Sequence, residues 1–378
     1  MSEVRANNLT NANQTGGPTL SGITTFSGTH FFVPPQGNTA ERPQSSPIGA
    51  LRFNTDSSHL EYYRGDTIGW TEIEAELTKP LGGGTGSNEG LGTRMLAGGG
   101  DLSSGTTNSI DFITISTFGN GQDFGDLTRS STGAGGSASR TRGLFANRYA
   151  SPSYHNEIDF VTIASKGNAQ DFGNSTVTNG YCRGLSNQIR SCTLAFASIN
   201  TINYVNIATT GDAQDFGDQT GVLEGGSACA STTRGILAGG GNIKRIDYIT
   251  IMTTGNAQDF GDLSANVTSG NGLSNSTRGV HKIMFQSGAT NAMEFITIAT
   301  LGNSQDFGDA LNVGPSVASG ASPTRGLFSG GSGVSSPYPK TDVIQKIEIL
   351  SQGNSIDFGD MSFASNHPAG LTNGHGGL

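Results

Sequence analysis

The feature that most constrains this chain is a unit that recurs six times: NSIDFITISTFGNGQDFGDLT, NEIDFVTIASKGNAQDFGNST, NTINYVNIATTGDAQDFGDQT, KRIDYITIMTTGNAQDFGDLS, NAMEFITIATLGNSQDFGDAL and VIQKIEILSQGNSIDFGDMS. The Asp-Phe-Gly aspartates, Asp123, Asp171, Asp215, Asp259, Asp306 and Asp357, stand 48, 44, 44, 47 and 51 residues apart. Periods of this size mean one supersecondary unit packed on the next. An arginine, usually in Thr-Arg-Gly, precedes each unit: Arg94, Arg142, Arg190, Arg234, Arg278 and Arg325. At Arg190 the neighbours are Ile189 and Ser191, so that match rests on register. From each aspartate to the next arginine is always 19 residues, and from the strand starts Ile110, Ile158, Ile202, Ile246, Met293 and Ile344 to the aspartate always 13. Arginine to strand start is 16, 16, 12, 12, 15 and 19 residues, so every insertion falls in one loop. Nineteen residues past Asp357 lies Gly376, and the chain stops where a seventh Thr-Arg-Gly would begin.

The Ile-Asp-Phe-Ile-Thr-Ile stretch is β-branched and aromatic and is flanked by Gly-Asn, a strand signature. Its apolar residues occupy both parities, Ile110 and Phe112 against Ile113 and Ile115, which predicts a strand covered on both faces. The arginine segment, the Asp-Phe-Gly segment and the Ser/Gly/Ala stretch before each arginine supply three more strands, the last small enough for a crowded inner position. Four strands per unit predict an all-β fold, a six-bladed β-propeller built from six tandem repeats of 44–51 residues and preceded by a small N-terminal β-meander. The expected organisation is a flexible arm over 1–19, a β module over 20–78, a Gly-rich linker or closing strand over 79–92 and the propeller over 93–378. Segment 78–93 has the character of the fixed-length half of a unit, which makes the N-terminal side a source for the closing strand.

Glycine is 58 of 378 residues, charged residues are 13% and hydrophobic residues 33%, so the surface is mostly uncharged and a large aliphatic core is disfavoured. A net charge of −9 with no basic run disfavours nucleic acid. No apolar stretch approaches the ~18 residues of a membrane span. The polar start MSEVRANNLTNANQTGG does not resemble a signal peptide. Cys182, Cys192 and Cys229 lack metal or disulfide spacing and read as small buried hydrophobes. The histidines His30, His59, His155, His281, His367 and His375 are scattered, so neither metal nor cofactor is expected. Asp-Phe-Gly lacks the other kinase motifs. The pair Asp259 and Asp262 lacks a calcium loop's denser ligands, and Asn174 replaces the second acid in one copy. Arg64-Gly65-Asp66 sits between two aromatic strands as a hairpin turn. No enzyme chemistry is indicated.

Two sets of residues stand out. The six arginines and six Asp-Phe-Gly aspartates are the charges kept in every copy, which predicts one buried Arg–Asp pair per unit as a structural device. The variable loops carry Tyr149, Tyr154, His155, Lys244, Arg245, Tyr338 and Lys340 amid Ser and Gly. Loops that absorb all length differences are expected to share one face, and Tyr with Ser and Gly suits adaptable recognition of sugars or proteins.

In the N-terminal region, GALRFNTDSSHLEYYRGDTIGWTEIEA reads as strands over 51–54, 60–63 and 69–73, with Trp70 the only tryptophan. The combination SGTHFFVPPQGNTAERP, PIGALRFNTDSSHLEYYRGDTIGWTEIEA and tandem TRGLFA…IDYIT…GNAQDFGDL units resembles tail-fibre-like and other virion structural proteins of marine bacteriophages, cyanophages especially, over nearly the whole chain. The repeat is more loosely similar to kelch-type blades, without their tryptophans. Departures lie at Arg190 and at Lys346, which replaces the repeat's aromatic in the sixth copy. The resemblance implies a non-enzymatic virion protein made in the host cytoplasm. Residues 20–78 would dock on other virion proteins, and the outward repeat region would touch a host-surface glycan or protein. It also implies a homotrimer. The alternatives are a capsid-decorating head fibre and, from another class, a carbohydrate-active enzyme on a propeller scaffold.

Overall fold

A computed structural model describes residues 34–56, 59–73, 93–195, 199–222, 225–285, 290–314, 317–331 and 339–378. The chain divides into two compact units, Met1–Glu76 and Leu77–Leu378. In the first, Gln36–Gly37 pairs in parallel with Leu51–Asn54, which pairs antiparallel with His59–Tyr63, which pairs with Trp70–Ile73. This is the expected meander with one short strand added. Gly65, at φ 99°, turns the Arg-Gly-Asp hairpin. Arg42 and Arg52 close on the buried Glu61 at 2.5 and 3.2 Å. The expected arm over 1–19, residues 20–33, 57–58 and 74–78 of the expected module and the expected linker over 79–92 lie outside the described residues.

The second unit is all-β. Besides the small hairpin of Asp101–Leu102 with Gly105–Thr106, its sheets, taken in chain order of their arginine strands, are antiparallel sets of four. Sheet one joins Ala369–Thr372, Arg94–Gly98, Ser109–Thr114 and Gln122–Asp126. Sheet two joins Gly135–Ala138, Arg142–Ala150, Ser153–Thr162 and Gln170–Asn179. Sheet three joins Arg183–Ser186, Arg190–Leu194, Thr201–Asn206 and Gln214–Asp218. Sheets four and five share the long strand Gln258–Ser274, fourth strand of one and first of the other. Sheet four begins with Ser227–Ala230, Arg234–Gly240 and Ile243–Thr250. Sheet five continues with Arg278–Phe285, Ala292–Thr297 and Gln305–Asp309. Sheet six joins Ala318–Ala321, Arg325–Ser329, Val343–Glu348 and Ile356–Asp360. The strand that completes sheet one, Ala369–Thr372, comes from the C-terminal side, while the expected closing strand over 79–92 lies outside the described residues. Ala369 lies 12 residues after Asp357, as Gly135 lies 12 after Asp123, so the rigid half of the sixth repeat delivers it to the edge of Arg94–Gly98.

Each repeat residue now has a cause. In all six sheets the ladder slips between the first two residues of the Ile-Asp-Phe motif, opposite Asp-Phe-Gly. This bulge turns the phenylalanine inward, buried at Phe124, Phe172, Phe216, Phe260, Phe307 and Phe358. The following glycine has φ between +133° and +153° and faces the Gly-Asn turn of the next sheet. A Cβ on Gly217 would stand 2.6 Å from the Gly255 carbonyl. Here the Asp-Phe-Gly amide groups meet the turn. Gly167 N donates to Phe124 O at 2.9 Å and Asp126 N to Asn168 Oδ1 at 3.1 Å. The pattern runs through every consecutive pair of sheets and from sheet six to sheet one, where Asp360 N donates to Asn120 Oδ1 at 3.1 Å.

The expected Arg–Asp pairs do not form. Asp123, Asp171, Asp215, Asp259, Asp306 and Asp357 are exposed, because the bulge that buries the phenylalanine aims its neighbour outward. Each arginine instead donates Nη1 to a backbone carbonyl of the following sheet: Arg94 to Ile163 at 3.0 Å, Arg142 to Ile207 at 2.9 Å, Arg190 to Ile251 at 2.9 Å, Arg234 to Ile298 at 2.7 Å, and Arg278 to Ile349 at 2.9 Å. Arg325 returns to Ser116 of sheet one at 2.8 Å. The guanidinium also lies over an aromatic ring, 4.1–4.8 Å from its centroid in the first five copies. In the sixth, where Lys346 replaces the ring, Phe118 of sheet one stacks on Phe358 at 5.2 Å and takes Arg325 at 5.9 Å.

The buried acid of the repeat is the one inside Ile-Asp-Phe. Asp111, Asp159 and Asp247 are buried and accept from Ser362, Thr128 and Thr220, the residues leaving the preceding sheet. Asn203, Glu294 and Gln345 take the same place in the other copies. The three cysteines are buried, as expected, and burial pushes the thiols of Cys192 and Cys229 up to about 12.

Candidate functional site

The first strands of the six sheets are small because they converge. A Cβ on Gly184 would strike the Gly136 carbonyl, one on Gly136 would strike Gly370, and one on Gly370 would strike Ser319. They line a narrow cavity of about 80 Å³, to which every sheet contributes a first strand. At one end the chain terminus crosses it: Gly376 N donates to Ser274 O at 2.9 Å, and His375 Nε2 lies 2.9 Å from Ala138 O. At the other end, where the variable loops leave the sheets, the wall carries different chemistry.

Ten residues after each Asp-Phe-Gly aspartate the chain enters a first strand. In two copies this residue is glycine in the left-handed region, Gly133 at φ 68° and Gly225 at φ 71°. In two others the same conformation is held by Tyr181 at φ 56° and His367 at φ 54°. A non-glycine residue there costs about 1–2 kcal/mol, and such strain collects at functional sites. Asn242, at φ 66°, borders the same opening. Two residues after Tyr181, Arg183 stands where the other first strands have small or uncharged residues.

The Arg183 guanidinium donates to carbonyls: Nε to Gly226 O at 2.8 Å, Nη2 to Gly270 O at 3.1 Å and Nη1 to Cys182 O at 3.1 Å. It forms no ion pair among the described residues. Burial lowers its pKa to about 10, which leaves it charged at neutral pH. His367 is pushed down to about 4, first by burial and then by the Arg183 charge, and is neutral. An aromatic series leads away from the opening. His367 meets the Tyr181 ring edge-on at 5.0 Å, Tyr181 stacks with Tyr149 at 6.1 Å, and Tyr149 meets Tyr154 at 5.2 Å. The Tyr154 ring is 45% exposed. Lys340, paired with Asp101 at 2.9 Å, adds to the rim. A cavity of about 460 Å³ opens between Tyr181, Arg183, Asn242, Ser269 and His367.

Of the residues expected at the variable loops, the structure brings Tyr149, Tyr154 and Lys340 toward this opening. His155 lies beside Glu157 at 3.9 Å. Lys244 pairs with Asp262 at 3.1 Å and Arg245 with Asp247 at 3.0 Å, both within sheet four rather than at the opening. Tyr338 lies outside the described residues. Tyr181, Arg183 and His367 were not anticipated, although the tenth residue after each aspartate, glycine in two copies, marks two of them in the sequence. The Ser227–His281 contact has a nucleophile and a base together, but both are buried and burial pushes the imidazole down to about 4, so it is a poor base. Among the described residues no group of His, Cys, Asp and Glu could hold a metal ion. No known protein family matches the chain, and no curated protein matches its sequence.

Proposed function

We propose that the second unit is a closed six-bladed β-propeller, and that the protein is a non-enzymatic phage virion structural protein, a tail fibre or appendage whose loop end contacts the host surface. The propeller reading is supported by the hydrogen-bond set that links each sheet to the next and the sixth to the first, and by Ala369–Thr372 completing the sheet of Arg94–Gly98. A closed array leaves no unpaired edge at either end. The recognition reading is carried by one observation: Tyr181 and His367 hold a backbone conformation that glycine would hold more cheaply, beside a charged arginine and an accessible aromatic series. The first unit, a meander with a buried Glu61 clamp, is the particle-docking module in this reading.

The test uses labelled full-length chain and a chain lacking residues 1–78. Both forms are expected to bind host cells, and only the full-length form to dock on particles that lack the protein. Docking by the shortened form would overturn the role of the first unit. Failure of both forms to bind cells would overturn host contact.

A further inference from the structure

The opening beside Arg183 is built for a ligand of definite chemistry. A charged guanidinium sits in the wall with backbone carbonyls around it and no carboxylate among the described residues. Those carbonyls orient the guanidinium without neutralising it, so the described residues of the site hold a positive charge inside a chain of net charge −9. The rim adds Lys340, offset by its own partner Asp101, so among the described residues Arg183 is the charge left over. Tyrosine rings reach from the wall to the surface, ending in the half-exposed Tyr154. Asn242 and Ser269 supply neutral polar groups across a cavity of about 460 Å³, large enough for one or two sugar rings.

The geometry points to an anionic saccharide as the ligand, its carboxylate or sulfate seated on Arg183 and the apolar face of a sugar ring on the tyrosines that lead out to Tyr154. The carbonyls take Nε, Nη1 and one Nη2 N–H of Arg183, which leaves the second Nη2 N–H for a charge-assisted bond to a carboxylate or sulfate oxygen, and aromatic rings take the flat face of a pyranose. Neutral sugars would leave the arginine charge uncompensated, and free inorganic anions would leave the tyrosines unused. This rests on the binding-module reading for its setting and gives the loop end a ligand class.

Calorimetric titration of the full-length chain with a glucuronate-containing trisaccharide, a sulfated trisaccharide, the matching neutral trisaccharide and inorganic phosphate separates the sources. At least one anionic trisaccharide is expected to bind about tenfold or more tighter than the neutral one. Arg183→Gln should abolish that preference. Because Arg183 also ties carbonyls together, Arg183→Lys, which keeps the charge, should keep part of the preference, and Tyr154→Ala, at an exposed ring, serves as a folded control. Tyr154→Ala should weaken the anionic sugar roughly two- to tenfold with an unchanged melting temperature. Equal binding of neutral and anionic sugars, phosphate binding as tight as the trisaccharide, or no binding of either anionic sugar would each overturn the assignment. These outcomes concern purified protein and sugar, so they are distinguishable from failure to bind cells or particles.

Discussion

At the residue scale, the repeat shows how a motif can be kept for the backbone geometry it allows rather than for the charge it carries. The aspartate of Asp-Phe-Gly faces solvent, while the glycine lets two sheets approach. Gly217→Ala should therefore cost more than about 2 kcal/mol, through strain at φ +139° and collision with the Gly255 turn. Gly211→Ala has similar strain at φ +152° but open space around it, and should cost only about 1 kcal/mol. Urea unfolding of the two variants checks the difference. Arg234→Ala should cost about 2 kcal/mol by loss of the Ile298 carbonyl bond and the Tyr248 stack. Asp259→Asn should change stability by less than about 0.5 kcal/mol. Equal losses in these two would restore the Arg–Asp pair in place of the carbonyl bond and ring stack. The arginine and the aspartate were both legible as markers. Their partners were not, because a one-residue bulge decides which side chain of three turns inward.

At the element scale, the strand Ala369–Thr372 carries the largest consequence. It covers the edge of Arg94–Gly98, and its residues Ala369 and Leu371 are buried in the core with Leu96 and Phe145. A chain ending at residue 368 should expose that edge and lose a cooperative transition, melting well below the full chain and becoming susceptible to proteolysis in sheet one first. A single substitution, Gly370→Val, should act in the same direction, since a side chain there meets the Ser319 backbone. Circular dichroism melting with limited proteolysis reads both. Deleting residues 1–78 should leave the main melting transition unchanged, in keeping with the division of the chain after Glu76.

At the scale of the whole molecule, three histidines from two repeats share one property. Burial pushes His281, His367 and His375 down to about 4, against about 6.5 in the unfolded chain. Between those values the unfolded state binds more protons, so their contribution to stability is complete above about pH 6.5 and is lost as pH falls toward 4. Unfolding at pH 5 should take up approximately three protons from this source, seen as a fall in urea midpoint with acidification. His281→Gln should reduce that slope by about one proton. A midpoint that stays level from pH 7 to 4.5 would contradict the burial of these rings.

The sequence by itself determined the number of units, their strand content, the rigid 19-residue half, the single variable loop and the smallness of the first strands, because local propensity and spacing are one-dimensional properties. It also placed Tyr149, Tyr154 and Lys340 in those loops. Only the tertiary structure decided which end supplies the strand beside Arg94–Gly98, which carbonyls the arginines seek, and that Tyr181, Arg183 and His367 from two distant repeats meet at one opening. The physical reason is that convergence of the first strands brings together residues nearly half the chain apart, and no local pattern encodes which of them will face one another.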